Sequence, residues 1–410
     1  MIRSTEYGRR EFLRRAALLG GSFSVTEGLI PSQGAPAPKD SAAPSDPGRL
    51  QKARDDVDVY RDPKYYCGPG PSPLVLPGGK VLMGFRRSPD SGHSNPEVEM
   101  CLLTSEDEGC TWSGAPHVFD AGNIRNSNLT LLPEGIILHA SHASRLITKG
   151  LYEKIRSDPR NKWRARQYEQ WNVHSAKTGT YVQRSHDNGR TWSQRYWVSP
   201  VSGMRDTLPG WPSPTAIRNP AFVLSDRSLV IPVYSADRPE TSYLMESADG
   251  GMHWRLRGTI ARPDLKTGFN ETILYECASG KLVAFMRSNP AGYSYTSHSL
   301  DGGRNWSHPR KEAFWGYPCT AIRMPSGRVL LAYGYRREPF GIRARLLDAE
   351  CEGIAEAEEF VIRDDGHNRD LGYPLADLLP DGTAIVAYYF NSVTDGGKQK
   401  YIAASFLREA

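Results

Sequence analysis

The chain has 410 residues, of which 39% are hydrophobic and 24% are charged, and it contains 39 Gly and 30 Pro. A chain of this length and composition can bury a large core, and its glycine and proline content predicts many turns. Part of the formal charge of +5 comes from arginines near the N-terminus, so the rest of the chain lacks the basic excess of a nucleic-acid-binding protein. These arginines are Arg3, Arg9, Arg10, Arg14 and Arg15.

The N-terminal segment resembles an export signal followed by a linker. Residues 8–14 read Gly-Arg-Arg-Glu-Phe-Leu-Arg and precede a short apolar run, which resembles a twin-arginine signal. An amphipathic basic helix is the alternative. The following stretch is rich in Pro, Ala and Ser, as flexible linkers are. We therefore expect a signal over 1–30, a linker over 31–54 and an exported, periplasmic or extracellular domain over 55–410, with no membrane span.

A nine-residue turn pattern occurs four times along the chain. The copies read SEDEGCTWS (105–113), SHDNGRTWS (185–193), SADGGMHWR (247–255) and SLDGGRNWS (299–307), and a degenerate copy lies at 349–353. In each copy the Asp can accept hydrogen bonds from backbone N–H groups of the turn, and the Gly can adopt positive φ. The Trp can fold back as an apolar lid. The pattern therefore predicts four similar turns between strands.

A second pattern, a tight turn between two short apolar runs, occurs six times. The six segments are VLPGGKVLMGF, TLLPEGIILHA, VLSDRSLVIPV, ECASGKLVAFM, RMPSGRVLLAY and LLPDGTAIVAY. Each is typical of a β-hairpin, and six similarly spaced hairpins predict six sheet units. Such units stack radially into an all-β, six-bladed propeller. We expect the last blade to borrow its outer strand from Asp56–Tyr60, paired with Tyr401–Leu407.

The cysteines and histidines do not indicate a metal or cofactor site. The six cysteines include no C-x-x-C pair, and the ten histidines lack the spacing of metal ligands with a carboxylate or thiolate partner. We expect buried thiols for most of the cysteines and no bound cofactor. A Cys101–Cys110 disulfide remains an alternative in an oxidising compartment.

The four turn copies resemble the Asp-box of the sialidase (neuraminidase) superfamily. This resemblance implies a six-bladed propeller whose boxes lie on blade rims, away from the catalytic centre. Asp-box propellers also include lectin-like proteins, so the boxes indicate the fold and not the chemistry.

Three later segments carry the functional resemblance. GFNETILYECASGKLVAFMRS is similar to the sialidase stretch that holds a catalytic glutamate and a substrate-binding arginine, which correspond to Glu271 and Arg287. EPFGIRARL places Arg343 at the family's next substrate-binding arginine, with Arg345 as a competitor. DLGYPLADLLPDGTAIVAYY resembles the segment of the catalytic tyrosine, which corresponds to Tyr373.

The chemistry explains why these residue types occur together. A sialic acid carries a carboxylate on its anomeric carbon, so a carboxylate nucleophile would be repelled, whereas a tyrosine deprotonated by a glutamate is repelled less. Sialidases with a tyrosine nucleophile are known exceptions among glycosidases. Arginines suit the substrate carboxylate because the planar guanidinium donates two parallel hydrogen bonds.

Two features depart from the family pattern. Sialidases have an arginine before the first hairpin, but this chain reads CGPGPSPLVLPGG there, so Arg86, Lys64, Arg125 or Arg218 are the possible substitutes. The family's general acid is an aspartate on a loop of the first blade, for which Asp90 is the candidate. His93 and Glu97 are alternatives to Asp90.

The sequence therefore favours an exported exo-glycosidase of sialidase type that acts on a glycan or glycoconjugate. An exo-glycosidase for a different terminal sugar and a non-catalytic carbohydrate-binding propeller remain alternatives. The insertion at 144–180, which is rich in Arg, Lys, Trp and Tyr, is either a roof that adds aromatic stacking for a sugar or a solvated loop.

Overall fold

The strand that begins the folded domain also closes it. The computed structural model describes residues 48–89, 95–157, 166–168, 173–202, 215–236, 239–264, 267–290 and 292–410. Its first strand, β1 (Leu50–Tyr60), begins within the range assigned above to the linker. Gly48–Ala410 forms one compact unit. The proposed signal lies outside the described residues.

Six antiparallel sheets follow one another along the chain. The first blade contains β2 (Tyr66–Cys67), β3 (Ser72–Val75), β4 (Val81–Ser88), β5 (Val98–Ser105) and β6 (His117–Gly122). The second contains β7 (Ile124–Leu131), β8 (Ile137–Thr148), β9 (Arg166–Tyr168), β10 (Val173–Ser185) and β11 (Tyr196–Trp197), with helix α1 (Lys149–Arg156) between β8 and β9. The third contains β12 (Thr215–Ala216), β13 (Phe222–Val223), β14 (Leu229–Ser235), β15 (Ser242–Ser247) and β16 (Arg255–Ala261).

The remaining three blades have four strands each. The fourth contains β17 (Gly268–Glu276), β18 (Leu282–Asn289), β19 (Tyr293–Ser299) and β20 (Arg310–Trp315). The fifth contains β21 (Cys319–Arg323), β22 (Val329–Tyr335), β23 (Phe340–Leu347) and β24 (Glu359–Gly366). The sixth contains β25 (Gly372–Leu378), β26 (Ala384–Phe390) and β27 (Tyr401–Glu409), with a 3-10 turn (Val393–Asp395) before β27. No helix among the described residues is long and apolar enough to cross a bilayer.

The sixth blade is completed by the N-terminal strand, as predicted. β1 pairs antiparallel with β27, and Val57 lies opposite Ala404 in the register. The prediction of an all-β, six-bladed propeller is confirmed. The C-terminal part of the chain supplies only three strands to the sixth sheet, and β1 adds the fourth, outer strand.

Each predicted Asp-box joins the third and fourth strands of its blade. In the first copy Asp107 Oδ1 accepts the Thr111 N–H at 2.8 Å, and Trp112 Nε1 donates to the Gly109 carbonyl at 3.1 Å. The degenerate fifth copy keeps the turn, because Asp348 Oδ1 accepts two backbone N–H groups at 2.9 Å. The boxes and the six hairpin turns therefore lie at one end of the strands, which we call the box face. The opposite ends form the site face.

Neighbouring blades are joined by apolar packing and by side chains of the hairpin turns. Between the fifth and sixth blades, Leu330 and Ile342 pack against Val386 and Leu407 in one buried cluster. Burial of such side chains stabilises each interface by about 1.5–3 kcal/mol per residue.

All six cysteines are free thiols. Cys101 is buried within β5, whereas Cys110 is exposed in the first Asp-box, where Arg54 Nη1 lies 2.8 Å from its sulfur. The alternative of a Cys101–Cys110 disulfide is wrong in this structure, because both thiols are free, with Cys101 buried in the middle of β5 and Cys110 exposed in the turn beyond its end. The buried thiols predicted above are found at the other five positions.

Candidate active site

Three of the side chains singled out in the sequence meet at the centre of the site face. The Tyr373 hydroxyl donates to Glu271 Oε1 at 2.8 Å, and Arg287 Nη1 donates to Glu271 Oε2 at 2.8 Å. The same Arg287 nitrogen lies 3.2 Å from the Tyr373 hydroxyl oxygen. These side chains come from the sixth and fourth blades, so the propeller brings together residues about a hundred positions apart. We call them the central cluster.

Irregular backbone directs two of these side chains into the centre. Glu271 and Tyr373 have φ values of 47° and 54°, in the left-handed region that residues with a Cβ rarely adopt. Each lies at a shift of register, between Asn270 and Ile273 in β17 and between Gly372 and Leu375 in β25. A bulge of this kind turns a side chain away from the ordinary alternation of the strand. Strained backbone of this kind is concentrated at functional sites.

The electrostatics of the cluster favour an ionised glutamate and a neutral tyrosine. Burial alone would raise the pKa of Glu271, but the adjacent Arg287 outweighs burial and lowers that pKa below its ordinary value. Burial and the charge of Glu271 raise the pKa of Tyr373. At neutral pH Glu271 is therefore ionised and accepts a hydrogen bond from the protonated hydroxyl of Tyr373.

Arg336 also lies beside the central cluster, although the sequence did not identify it. Its guanidinium carbon lies 4.9 Å from the ring centroid of Tyr373, and its Nη2 donates to the Tyr389 hydroxyl at 2.9 Å. Two further hydrogen bonds, at 3.0 and 2.9 Å, hold it to the Leu371 carbonyl. Arg336 follows the last residue of β22. An arginine directly after the second strand of a blade lies on the site face, and this position could have identified it from the sequence.

Arg343, the arginine predicted at this place, lies elsewhere. It is in the third strand of its blade, 4% exposed, and donates to the backbone carbonyls of Arg363 and Pro339. Its guanidinium carbon lies 4.7 Å from the ring centroid of Tyr335. Its competitor Arg345 also donates to carbonyl groups within the fifth blade. Both side chains therefore hold the outer strands of this blade together, because the register of β23 directs them away from the centre.

Arg218 lies beneath the tyrosine. Its Nη2 donates to the Tyr373 carbonyl at 2.7 Å, and its guanidinium carbon lies 4.4 Å from the ring centroid. It is 1% exposed, and two of its nitrogens have no hydrogen-bond partner among the described residues. Burial lowers its pKa to about 10. Since no described carboxylate forms an ion pair with Arg218, its buried charge raises the positive potential beneath the cluster.

Positively charged side chains of the first two blades lie near His142. Arg86 is 1% exposed and passes against Gly68, where a Cβ would lie 2.8 Å from Arg86 Nε. Burial and then the positive charges of Lys177, Arg125 and Arg86 lower the pKa of His142 well below its ordinary value. Of the substitutes considered for the missing arginine, Arg86 lies in the first blade and Arg125 in the second, both near enough to His142 for their charges to act on it.

Lys64, the remaining substitute for the missing arginine, and Glu97, an alternative general acid, are not part of the central cluster. Lys64 and Glu97 are exposed. Asp90 and its alternative His93 lie outside the described residues. Within the described ranges, no group of three or more His, Cys, Asp or Glu side chains is arranged to hold a metal ion.

A second polar network borders the cluster at the junction of the sixth and first blades. Asp370 accepts hydrogen bonds from the hydroxyls of Tyr389 and Tyr66 at 2.8 and 2.7 Å, and it pairs with Lys400. The sequence reasoning did not select these residues, since no local motif marks them.

A family model described as a BNR repeat-like domain matches residues 151–385, which is more than half of the chain. The chain belongs to the BNR repeat-like domain family. A search of curated proteins finds no match.

Solved structures of similar fold include sialidases. A crystal structure of a protein of unknown function from Dyadobacter fermentans DSM 18053 is 31% identical, with a TM-score of 0.78 over 88% of this chain and 99% of that one. A Hadza microbial sialidase is 17% identical, with a TM-score of 0.60 over 86% and 68% of the two chains. The intramolecular trans-sialidase from Ruminococcus gnavus, in complex with oseltamivir carboxylate, is 15% identical, with a TM-score of 0.57 over 86% and 96%. The last two identities support a shared fold for this BNR repeat-like protein.

Proposed function

We propose that this BNR repeat-like protein is a glycoside hydrolase that removes terminal sialic acid, or a related acidic sugar, from glycans with retention of configuration. The observation that carries the proposal is the contact of the Tyr373 hydroxyl with Glu271 at 2.8 Å, beside Arg287. A tyrosine and a carboxylate in hydrogen-bond contact satisfy the geometric requirement for an activated nucleophile.

In the proposed reaction, the Tyr373 oxygen attacks the anomeric carbon while Glu271 takes the phenolic proton. The glycosidic bond breaks, and the departing oxygen receives a proton from the general acid, for which Asp90 remains the candidate. Water then attacks the same carbon and gives a proton to the carboxylate of the general acid, while the bond to the tyrosine breaks and Glu271 returns its proton to the phenolic oxygen. Two displacements at one carbon restore the starting configuration.

Arginines around the cluster support an acidic sugar. We propose that Arg287 and Arg336 bind the substrate carboxylate, because both reach the face of the cluster and each remains partly exposed. Arg218 contributes positive charge from below the Tyr373 ring. Arg336 takes the role that the family resemblance assigned to Arg343.

A second candidate is an exo-glycosidase for a different terminal sugar. It is favoured by the first blade, whose inner strands β2 and β3 contain no arginine. A smaller number of guanidinium groups facing the substrate weakens the preference for a carboxylate over a neutral group.

A panel of chromogenic glycosides tests the proposal with purified protein. Turnover of the sialoside supports it, and turnover of neutral glycosides alone supports the second candidate. Binding of glycans without any turnover indicates a non-catalytic carbohydrate-binding propeller. The matched control is Tyr373→Phe, which removes the nucleophilic oxygen and leaves the ring.

We also propose that the protein is exported by the twin-arginine route. The motif Arg9-Arg10 supports this assignment. Arg9→Lys together with Arg10→Lys should leave the full-length protein inside the cell, as checked by fractionation. Secretion of that variant at the wild-type level would contradict it.

A further inference from the structure

Two adjacent residues of the third blade bind the backbone of the central cluster. Arg218 and Asn219 lie shortly after β12, and they are 1% and 0% exposed. Arg218 donates to the Tyr373 carbonyl at 2.7 Å. The Nδ2 group of Asn219 donates to the carbonyls of Glu271 and Thr272 at 3.3 and 2.6 Å. One short segment of chain therefore contacts the backbone of both the tyrosine and the glutamate of the cluster.

The hydrogen bonds of Asn219 lie at the bulge in β17. The register of β17 with β18 shifts between Asn270 and Ile273, so the regular pairing is interrupted at Glu271 and Thr272. A bulge disrupts the ladder of hydrogen bonds, and a buried backbone carbonyl then needs another donor. A side-chain amide has two N–H groups to donate. Asn219 therefore holds both bulged residues by their backbone.

The side chain of Glu271 depends on this bulge for its direction. Its φ of 47° is a conformation that a residue with a Cβ keeps only where its surroundings hold it. In this conformation the Glu271 carboxylate lies 2.8 Å from the Tyr373 hydroxyl. Without the hydrogen bonds of Asn219, residue 271 can relax toward an ordinary strand conformation. The carboxylate would then move away from the hydroxyl.

A related contact occurs in the second blade. The motif Ile-Arg-Asn occurs at 124–126 and again at 217–219. Asn126 Nδ2 donates to the Ile217 carbonyl at 2.7 Å, so it also binds the backbone of the following blade. The asparagine of each motif therefore joins two blades. Of the two, Asn219 is the one that binds a residue of the central cluster.

We propose that Asn219 is a positioning residue for the proposed reaction. It holds the backbone of Glu271 in the bulged conformation, and it thereby keeps the carboxylate within hydrogen-bond distance of Tyr373. Arg218 binds the backbone of Tyr373, so two adjacent residues fix the base and the nucleophile relative to each other. This proposal rests on the proposed function, because that function makes Glu271 the base.

The kinetic test separates turnover from substrate binding. In Asn219→Ala the amide is lost, and kcat for 4-methylumbelliferyl sialoside should fall about a hundredfold, because a misplacement of about 1 Å can cost that much. KM should stay within about threefold, because the proposed substrate-binding residues Arg287 and Arg336 are retained. A rise in KM at unchanged kcat, or no change in either constant, would overturn the proposal.

Asn128→Ala is the matched control. Asn128 is also 0% exposed, and its Nδ2 donates to the Ala140 carbonyl at 2.9 Å, within the second blade. In both asparagines Oδ1 has no hydrogen-bond partner among the described residues. The control should therefore lose a similar amount of stability and keep the wild-type kcat. An equal fall of kcat in both variants would show a general structural effect and overturn the proposal.

A second substitution serves if Asn219→Ala does not fold. Asn219→Ser retains a hydroxyl that can donate to one of the two carbonyls. This variant should fold, and its kcat should fall by about tenfold, less than expected for complete loss of the anchor. In that case, a folded serine variant with the wild-type kcat would overturn the proposal.

An NMR measurement distinguishes failure of this proposal from failure of the proposed function. In protein labelled with carbon-13 at tyrosine Cζ, the Tyr373 signal is assigned by its absence in Tyr373→Phe. In Asn219→Ala this signal should move toward its position in Glu271→Ala, where the hydrogen bond is absent, and in Asn128→Ala it should stay.

This measurement does not require activity. If no glycoside is hydrolysed, the proposed function fails, but movement of the Tyr373 signal in Asn219→Ala still supports the anchoring of Glu271 by Asn219. An unmoved signal in that variant would overturn the proposal, whether or not the wild type hydrolyses a sialoside.

Discussion

Arg218 contacts both the backbone and the side chain of Tyr373. Its guanidinium group donates to the Tyr373 carbonyl at 2.7 Å, and its guanidinium carbon lies 4.4 Å from the centroid of the Tyr373 ring. Tyr373 has a φ of 54°, so this hydrogen bond holds a backbone conformation that a tyrosine rarely adopts. The charge of Arg218 also opposes the rise that burial causes in the pKa of Tyr373, and it contributes to the lowered pKa of Glu271. We therefore infer that Arg218 acts through Tyr373, as a positioning residue of the proposed reaction.

Replacing Arg218 should move the pH profile of the proposed reaction. Glu271 must be ionised to accept a proton, and Arg218→Met removes a charge that lowers its pKa. The pKa of Glu271 should rise, so kcat/KM should begin to fall at a higher pH on the acidic side. A pH–rate series measures this shift. Arg218→Lys keeps the charge and should shift the profile less, whereas an unmoved acidic limb in both variants would contradict this role.

Tyr373 and Glu271 should act as one unit. Tyr373→Phe and Glu271→Ala should each lower kcat by more than about a thousandfold, and the double variant should be little worse than the worse single variant. A slow fluorinated substrate should label Tyr373, as detected by peptide mass spectrometry. Labelling of another residue, or inversion of configuration observed by NMR, would remove Tyr373 from this role.

Arg336 and Arg343 should differ in what their loss affects. Arg336→Ala should weaken binding of the acidic sugar by about 2–5 kcal/mol, because a carboxylate loses a charged partner. Arg343→Ala should instead lower the free energy of unfolding by about 1–3 kcal/mol, because it leaves backbone carbonyls of Arg363 and Pro339 without donors. Titration with a sialic acid analogue and denaturation in urea measure the two effects. The reverse pattern would restore Arg343 to the substrate site.

The Asp-boxes should contribute stability and not catalysis. Trp254 is 3% exposed, so Trp254→Ala should lower the free energy of unfolding by about 3–5 kcal/mol. Trp192 is half-buried, so Trp192→Ala should cost less. The folded fraction of either variant should keep the wild-type kcat. A fully folded variant that has lost catalysis would show that the boxes also serve the site.

The sequence by itself determined the repeated architecture, because its signals are local. The Asp–Gly–Trp spacing of each box specifies hydrogen bonds within a single turn, and each hairpin places its turn between two apolar strands. Local patterns of this kind also identified β1 and β27 as partners, since the last blade lacked an outer strand. Glu271, Arg287 and Tyr373 were found because each lies in a stretch that resembles one family.

Only the tertiary structure decided which other side chains reach the centre. Arg336 and Arg343 are seven positions apart in one blade. Arg336 follows the end of β22 and reaches the centre, whereas the register of β23 directs Arg343 into the sheet. Arg218 lies under Tyr373, and Lys177 lies beside Tyr234, because separate blades converge there. Such contacts join residues far apart in the chain, so no local pattern of residues specifies them.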